Sequence, residues 1–258
     1  MRRLILEEPV SRTARWSVRV AAFALLAALI AALLVRTERV EPGPGLAALA
    51  AALGLAILAV GLAFAAFVRI WTEGRRGLGL AVRGLLVALL TLGYPLFLAA
   101  RALTLPALTD VSTDVGEPPA FSRSRAAQEA RGRVPPDPTP ETRARQRAAY
   151  ARIAPLTLDL PPEEAFEVAR RAAVNRGWQV IEAVKPGGRI GIGRVEAVAR
   201  SPVLRLPDDV TVRVRPIADG ARIDVRSASR IGPHDLGQNA DRIRAYYDEV
   251  SKLAIATK

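Results

Sequence analysis

Three long apolar stretches near the start of the chain constrain its fold more than any other feature. They run from about Trp16 to Val35, from Leu46 to Val68 and from Leu78 to Ala100. About 20 apolar helical residues are needed to cross the hydrocarbon core of a bilayer, and Arg19 and Arg83 lie close enough to span ends to reach the headgroups. Pro95 is expected to kink the third helix without ending it. The sequence therefore predicts three transmembrane helices.

The arginines that flank these stretches predict their orientation. Most precede the first stretch or lie around the loop between the second and third: Arg2, Arg3, Arg12, Arg15, Arg19, Arg69, Arg75, Arg76 and Arg83. Only Arg36 and Arg39 lie in the other loop. Cytoplasmic loops carry the excess of basic residues, so we expect a cytoplasmic N-terminus in a bacterial inner membrane and a periplasmic C-terminal half. A cleaved signal peptide is the competing interpretation of the first stretch.

Small residues within the second stretch predict close helix packing. Gly54 and Gly61 lie one heptad apart among many alanines, and small residues let transmembrane helices approach closely. We favour packing within one bundle over dimerisation, although the sequence does not predict an oligomeric state.

Composition excludes several kinds of site. The chain has no cysteine and a single histidine, His234, which excludes disulfides, thiolate catalysis and cysteine-ligated zinc and leaves little for a classical zinc site. No metal or cofactor is predicted. The net charge of +12 is shared between both halves and much of it flanks the apolar stretches, so we expect no nucleic acid as a partner.

Composition also divides the chain into three parts. We predict a three-helix transmembrane domain at 1–105, a proline-rich extended connector at 106–154 and an α+β domain at 155–258. The connector is rich in proline and charge, so we expect an extended stalk with one short helix around Glu141 to Arg152.

The last part alternates between strand and helix patterns. Helices are predicted from Pro162 to Gly177 and from about Asp235, as N-cap, to Leu253. Strands are predicted at 156–160, 178–184, 190–201, 210–216 and 221–229. This order predicts an α+β fold: an antiparallel sheet carrying two helices on one face.

The dipeptide Asp219-Gly220 predicts a type I′ hairpin turn. With these residues as the loop, Val214 pairs with Val225, Arg215 with Asp224, and Arg213 with Arg226. Like charges directly opposite destabilise a sheet, so the last pair needs Glu196 or a bound anion. The outward face carries seven arginines against Glu196 and Asp224: Arg194, Arg200, Arg213, Arg215, Arg222, Arg226 and Arg230. An anion-binding face and a solvated face balanced by local carboxylates both remain open.

Several spaced motifs resemble a known family. They are Asp110-Val111-Ser112-Thr113-Asp114, Pro118-Pro119-Ala120-Phe121, the run from Asp208-Asp209-Val210 to Arg226-Ser227-Ala228-Ser229-Arg230, then Gly232, Asp235-Leu236-Gly237, Asn239 and Arg242-Ile243-Arg244. Together they resemble the DUF1499 family over roughly residues 108–253. The resemblance implies a bacterial envelope protein, often behind transmembrane segments, and implies no substrate.

Catalytic motifs are weak. Ser229, His234 and Asp235 include the residue types of a triad, but adjacent His and Asp residues do not give the geometry that a triad needs. The pair Asp208 and Asp209 has two interpretations, a metal or proton-sharing site and an ordinary strand entry. The glycines of 187–193 match no phosphate-binding spacing. We therefore predict no catalytic residue.

The densest polar cluster is the predicted binding site. Arg213 of the outward sheet face is added to the predicted site, and the seven residues of the cluster itself are Arg226, Ser227, Ser229, Arg230, Asp235, Asn239 and Arg242. They either tie a strand to the final helix or hold an anionic group at that helix's start. We predict a membrane protein whose outer domain binds an anionic lipid, another anionic envelope component or a membrane-protein partner. The alternative is a hydrolase of an envelope lipid or glycan, with Asp208, Asp209, His234 and Asp235 as candidate residues.

Overall fold

A computed structural model describes residues 9–187 and 191–257. Its N-terminal part consists of three helices, α1 (Arg12–Arg36), α2 (Pro42–Glu73) and α3 (Leu78–Thr104). All three are long and apolar enough to cross a membrane, which confirms the predicted apolar helices. Pro95 lies inside α3 without ending it, and the left-handed residue Gly74 follows the end of α2.

Small residues at heptad spacing form the buried seam of this bundle. In α1 the buried positions recur every three or four residues: Ala14, Ser17, Ala21, Ala24, Ala28, Ala31 and Val35. The seam of α2 is likewise alanine, at 52, 56, 59, 63 and 66. One layer joins Ala21, Ala59 and Ala88 from the three helices. This 3–4 spacing is the pattern of helices that pack side by side over several turns.

Gly54 and Gly61 do not contribute to this packing, contrary to our prediction. A Cβ built on either glycine would have no atom within 4 Å. Both lie two positions beyond seam alanines, which is more than half a helical turn away. The close approach occurs instead at Gly84, where a Cβ would lie 2.4 Å from the Oγ atom of Ser17.

The remainder of the chain is built on a six-stranded antiparallel sheet. Its strands are β1 (Asp110–Ser112), β2 (Leu156–Leu158), β3 (Gln179–Val184), β4 (Gly193–Arg200), β5 (Pro207–Ile217) and β6 (Gly220–Ser229). The order is β1-β6-β5-β4-β3, and β2 also pairs with β6. Residue 190, where the strand predicted at 190–201 starts, lies outside the described residues.

The stretch predicted as an extended connector is folded. It contributes β1 and two helices, α4 (Arg125–Arg131) and α5 (Pro140–Ala149). The side chain of Gln146 in α5 accepts from the backbone N–H of Ser112 and donates to its carbonyl oxygen, at 3.1 and 2.5 Å. The structure differs from the prediction because the prolines lie between these short elements or at a helix start, where they break no backbone hydrogen bonds.

Two helices cover one face of the sheet, as predicted. These are α6 (Pro162–Asn175) and α7 (Gln238–Thr257). Alternate residues of the central strands pack in this core, among them Val195, Val210, Val212, Val214, Ile223 and Val225. Phe166 and Tyr246 supply the main aromatic contacts from the helices, and Trp178 stacks on Tyr246 with ring centroids 4.7 Å apart. The fold is therefore α+β with a one-sided hydrophobic core.

The β5–β6 hairpin has a different register from the predicted one. Its loop is Ala218-Asp219, so Arg213 lies opposite Asp224 and Arg215 opposite Arg222. Neither loop residue has the positive φ that a type I′ turn requires. Gly220 has φ +127°, and a Cβ there would lie 2.2 Å from the carbonyl oxygen of Leu158 in β2. The glycine therefore serves the close approach of β2, and because the register moves by two residues, each side chain keeps its predicted face.

Candidate functional site

The arginines of the outward sheet face are half-buried, except for Arg226, which is buried and lies at the centre of the face. Its side chain is 1% exposed. The guanidinium donates to both carboxylate oxygens of Asp110 at 2.8–3.2 Å, to Asp137 at 2.9 Å and to the carbonyl oxygen of Pro136 at 2.7 Å. Burial raises the pKa of Asp110, although the hydrogen bonds and charge of Arg226 act in the opposite direction. The chain therefore supplies its own anions to Arg226.

A second buried ion-pair group lies beside the first. Arg131 pairs with Glu196 and also donates to Asp209 at 3.0 Å. Arg230 donates to both oxygens of Asp209, at 2.7 and 3.1 Å. The ring of Phe121 lies between the two groups, with the guanidinium carbons of Arg131 and Arg226 at 4.9 and 4.8 Å from its centroid. This stack joins the predicted connector to the sheet.

A third group, nearer the hairpin, resolves the like charges that face each other there. Arg215 and Arg222 are cross-strand neighbours, and both contact Asp114 and Asp224 at 2.8–3.2 Å. Arg213 contacts the same two carboxylates. Burial raises the pKa of Asp114, but the N–H of Glu117 and the charges of the three arginines outweigh it and lower that pKa. The predicted clash between Arg213 and Arg226 does not occur.

On the helix-covered face, four polar residues tie β5 and β6 to α7. Arg242 donates to the Oγ atom of Ser227 at 2.8 Å and to the Oδ1 atom of Asn239 at 2.6 Å, and it pairs with Asp208. Ser227 donates to Asn239 at 2.7 Å. Ser227 and Asn239 are fully buried. This group matches the structural interpretation of the predicted site.

Asp235 does not cap the helix in the predicted way. It accepts from the N–H groups of Gly237 and Asn239 at 2.9 and 3.1 Å. Leu236 and Gly237 have positive φ values of 56° and 79°, so α7 begins at Gln238, three residues later than predicted. The Asp235 carboxylate still satisfies the free N–H groups of this entry into the helix.

The four candidate catalytic residues do not form one shared site, although the Nδ1 atom of His234 lies 3.8 Å from the Oδ1 atom of Asp235. Asp208 faces Arg242 of α7, whereas Asp209 faces Arg131 on the opposite side of the sheet, because neighbouring strand residues alternate in direction. The Nδ1 atom of His234 accepts the N–H of Leu236 at 2.9 Å, and its Nε2 atom lies 3.2 Å from the carbonyl oxygen of Leu105. Within residues 9–187 and 191–257, no group of three or more His, Asp or Glu side chains is placed to hold a metal ion.

A cavity of about 480 Å³ opens at the end of β6. It is lined by Thr109, Asp110, Arg131, Arg133, Pro135, Pro136, Asp137, Pro138, Thr139, Thr142, Asp209, Ala228, Ser229, Arg230 and Gly232. Of the eight predicted site residues, only Ser229 and Arg230 line it. Arg133, which the sequence analysis missed, is exposed and makes no hydrogen bond or ion pair with any described residue.

Comparisons with known proteins identify a family but no function. The model of a family described as "Protein of unknown function (DUF1499)" matches residues 110–250. The crystal structure of TTHA0849 from Thermus thermophilus is 11% identical over a match that covers 41% of this chain and 97% of that chain, with a TM-score of 0.25. Comparison with curated proteins gives no match.

Proposed function

Because the chain belongs to the DUF1499 family, whose function is unknown, we propose its function from the cavity: the sheet domain binds the anionic group of a cell-envelope component there. The observation that carries the proposal is Arg133, a cation without a protein partner among the described residues, at the wall of a cavity large enough for a small molecule. The protein binds this component on the outer side of the bacterial inner membrane. The arginine distribution around the apolar helices supports this orientation.

A second arginine at the cavity wall lies where it could contact an oxyanion. Arg230 lines the cavity with a side chain that is 21% exposed, and Ser229, Thr139 and Thr142 line it too. Guanidinium groups bind carboxylate and phosphate through paired, charge-assisted hydrogen bonds. Arg133 and Arg230 are therefore the proposed anion contacts.

The other six predicted residues act indirectly in this proposal. Arg226 holds Asp110 and Asp137, both at the cavity wall. Ser227, Asp235, Asn239 and Arg242 hold the β6–α7 junction, and Arg213 holds the segment around Asp114. The candidate residues of the hydrolase alternative are engaged in contacts within the fold.

In-cell photo-crosslinking tests the proposal in the full chain. A photoreactive residue replaces Thr142 at the cavity wall, and as a matched control it replaces Ala148, which is exposed on the same helix outside the cavity. We expect capture of a species that bears phosphate or carboxylate from position 142 and not from position 148.

Two arginine-to-glutamine substitutions test whether the capture depends on Arg133. Arg133→Gln is expected to abolish this capture, whereas Arg171→Gln, the same change at an exposed position of α6, leaves it intact. Equal capture from both photoreactive positions, or capture that survives Arg133→Gln, contradicts the proposal. Capture at position 142 of a protein alone points to the membrane-protein partner instead and also overturns it.

A further inference from the structure

We propose that the ligand of this cavity is a short zwitterion, whose oxyanion is bound by Arg133 and Arg230 and whose primary ammonium is bound by Asp110 and Asp137. This inference rests on the proposed function and specifies the chemistry of its ligand. The charged residues at the cavity wall divide into two groups of opposite net charge.

One part of the wall has an excess of negative charge. Asp110 and Asp137 both pair with the single guanidinium of Arg226, which leaves one carboxylate charge without a matching cation. The Asp137 side chain is 78% exposed, and only its Oδ1 atom is engaged by Arg226. Its Oδ2 atom is thus available as an acceptor for a ligand.

Another part of the wall has an excess of positive charge. Its arginines 131, 133 and 230 stand against two carboxylates, Asp209 and Glu196. Arg194 lies 3.6 Å from Glu196 and also pairs with Glu182. Counting Arg194 and Glu182 adds one charge of each sign, so the excess of one positive charge remains. Among the described residues, no ion pair joins Arg133 or Arg230 to Asp110 or Asp137.

A dipolar wall selects between ligands. A simple anion is attracted by the arginines and repelled by the excess carboxylate, whereas a zwitterion is attracted by both. Burial also raises the pKa of Asp110, and the nearby charge of Asp137 contributes in the same direction, so a bound cation relieves an unfavourable charge there. Pro135 and Pro136, which lie between Arg133 and Asp137 in the sequence, line the cavity together with Pro138. These prolines offer apolar contact to a short carbon chain.

Calorimetric titration of the full chain in a non-ionic detergent tests this inference. The matched probes are ethyl phosphate and phosphoethanolamine, which differ by one amino group. We expect phosphoethanolamine to bind about two- to fivefold more tightly, the gain of one partly exposed ion pair. Phosphocholine is expected to lose this gain, because its quaternary ammonium has no hydrogen to donate.

Asp137→Asn separates this inference from the proposed function. The variant is expected to bind both phosphate esters about equally and to bind ethyl phosphate more tightly than the original chain does, because the repelling carboxylate charge is removed. If ethyl phosphate binds in an Arg133-dependent way but the amino group adds nothing, the inference fails while the proposed function stands. If neither ester binds, or binding survives Arg133→Gln, both fail.

Two sources share this chemistry, and competition distinguishes them. Nanodiscs that contain phosphatidylethanolamine are expected to displace phosphoethanolamine if the natural ligand is a lipid headgroup, with phosphatidylcholine nanodiscs as control. Phosphoethanolamine binding that both kinds of nanodisc leave unchanged assigns the site to a soluble zwitterion.

Discussion

Removing the Arg226 guanidinium is the substitution that we expect to destabilise the sheet domain most. Arg226→Met keeps the approximate length of the side chain but leaves Asp110 buried beside no cation, since Asp110 pairs with Arg226. Breaking a buried pair in this way costs about 3–5 kcal/mol, and this figure includes the hydrogen bonds to Asp137 and Pro136. At about 2–4 °C per kcal/mol for a domain of this size, the unfolding midpoint falls by about 6–20 °C.

Native-state hydrogen exchange of the β6 amides measures this cost without interference from the membrane helices. Arg215→Met is the matched control: it lies on the same face of the sheet but is 23% exposed, so we expect a loss of about 1 kcal/mol or less. Adding Asp110→Asn to Arg226→Met is expected to restore about 1–2 kcal/mol, because a neutral amide is less costly to bury than a charge. An Arg226→Met loss no larger than that of Arg215→Met refutes the reasoning.

Two further predictions concern the membrane helices and acid stability. Gly84→Ala places a Cβ 2.4 Å from the Ser17 Oγ atom and 2.9 Å from the Ser17 carbonyl carbon, so we expect the free energy of unfolding in detergent to fall by about 1–3 kcal/mol. Gly54→Ala, which has open space around it, is the control. Equal losses in the two variants contradict the packing. The pKa of Asp114 is lowered below its ordinary 3.8, so its charge stabilises the fold above that pH and the contribution is lost as pH falls through the lowered value. The stability difference between the original chain and Asp114→Asn should therefore shrink between about pH 5 and pH 2 in chemical denaturation, and a constant difference contradicts this assignment.

The sequence predicted those elements whose patterns are local. The length of the apolar stretches predicted α1, α2 and α3, and the alternation around Val210, Val212 and Val214 predicted a half-buried strand. Alternation also contained the signal that Asp208 and Asp209 point to opposite faces. The 3–4 spacing of the alanines likewise indicates which residues form the buried seam of the bundle.

What the sequence could not supply depends on contacts between distant segments. Gly220 resembles a turn glycine until β2 is known to pack against it. The proline-rich segment is too polar to form a core when considered alone, but it lies over a charged sheet face that provides its ion-pair partners. Arg133 combines the lack of a protein partner among the described residues with a place at the cavity wall, which no composition argument reveals.

The pairing of β1 with β6 has a consequence for the order in which the chain is made. Asp110 lies opposite Ala228, so more than a hundred residues must be synthesised after β1 before its partner strand exists. During that interval the segment has no sheet to dock on, and an apolar segment in this state is prone to aggregation. Its content of proline and charged residues keeps the segment soluble until β6 has been synthesised. The same composition that resembles a stalk therefore suits a segment that is among the first of its domain to emerge and among the last to fold.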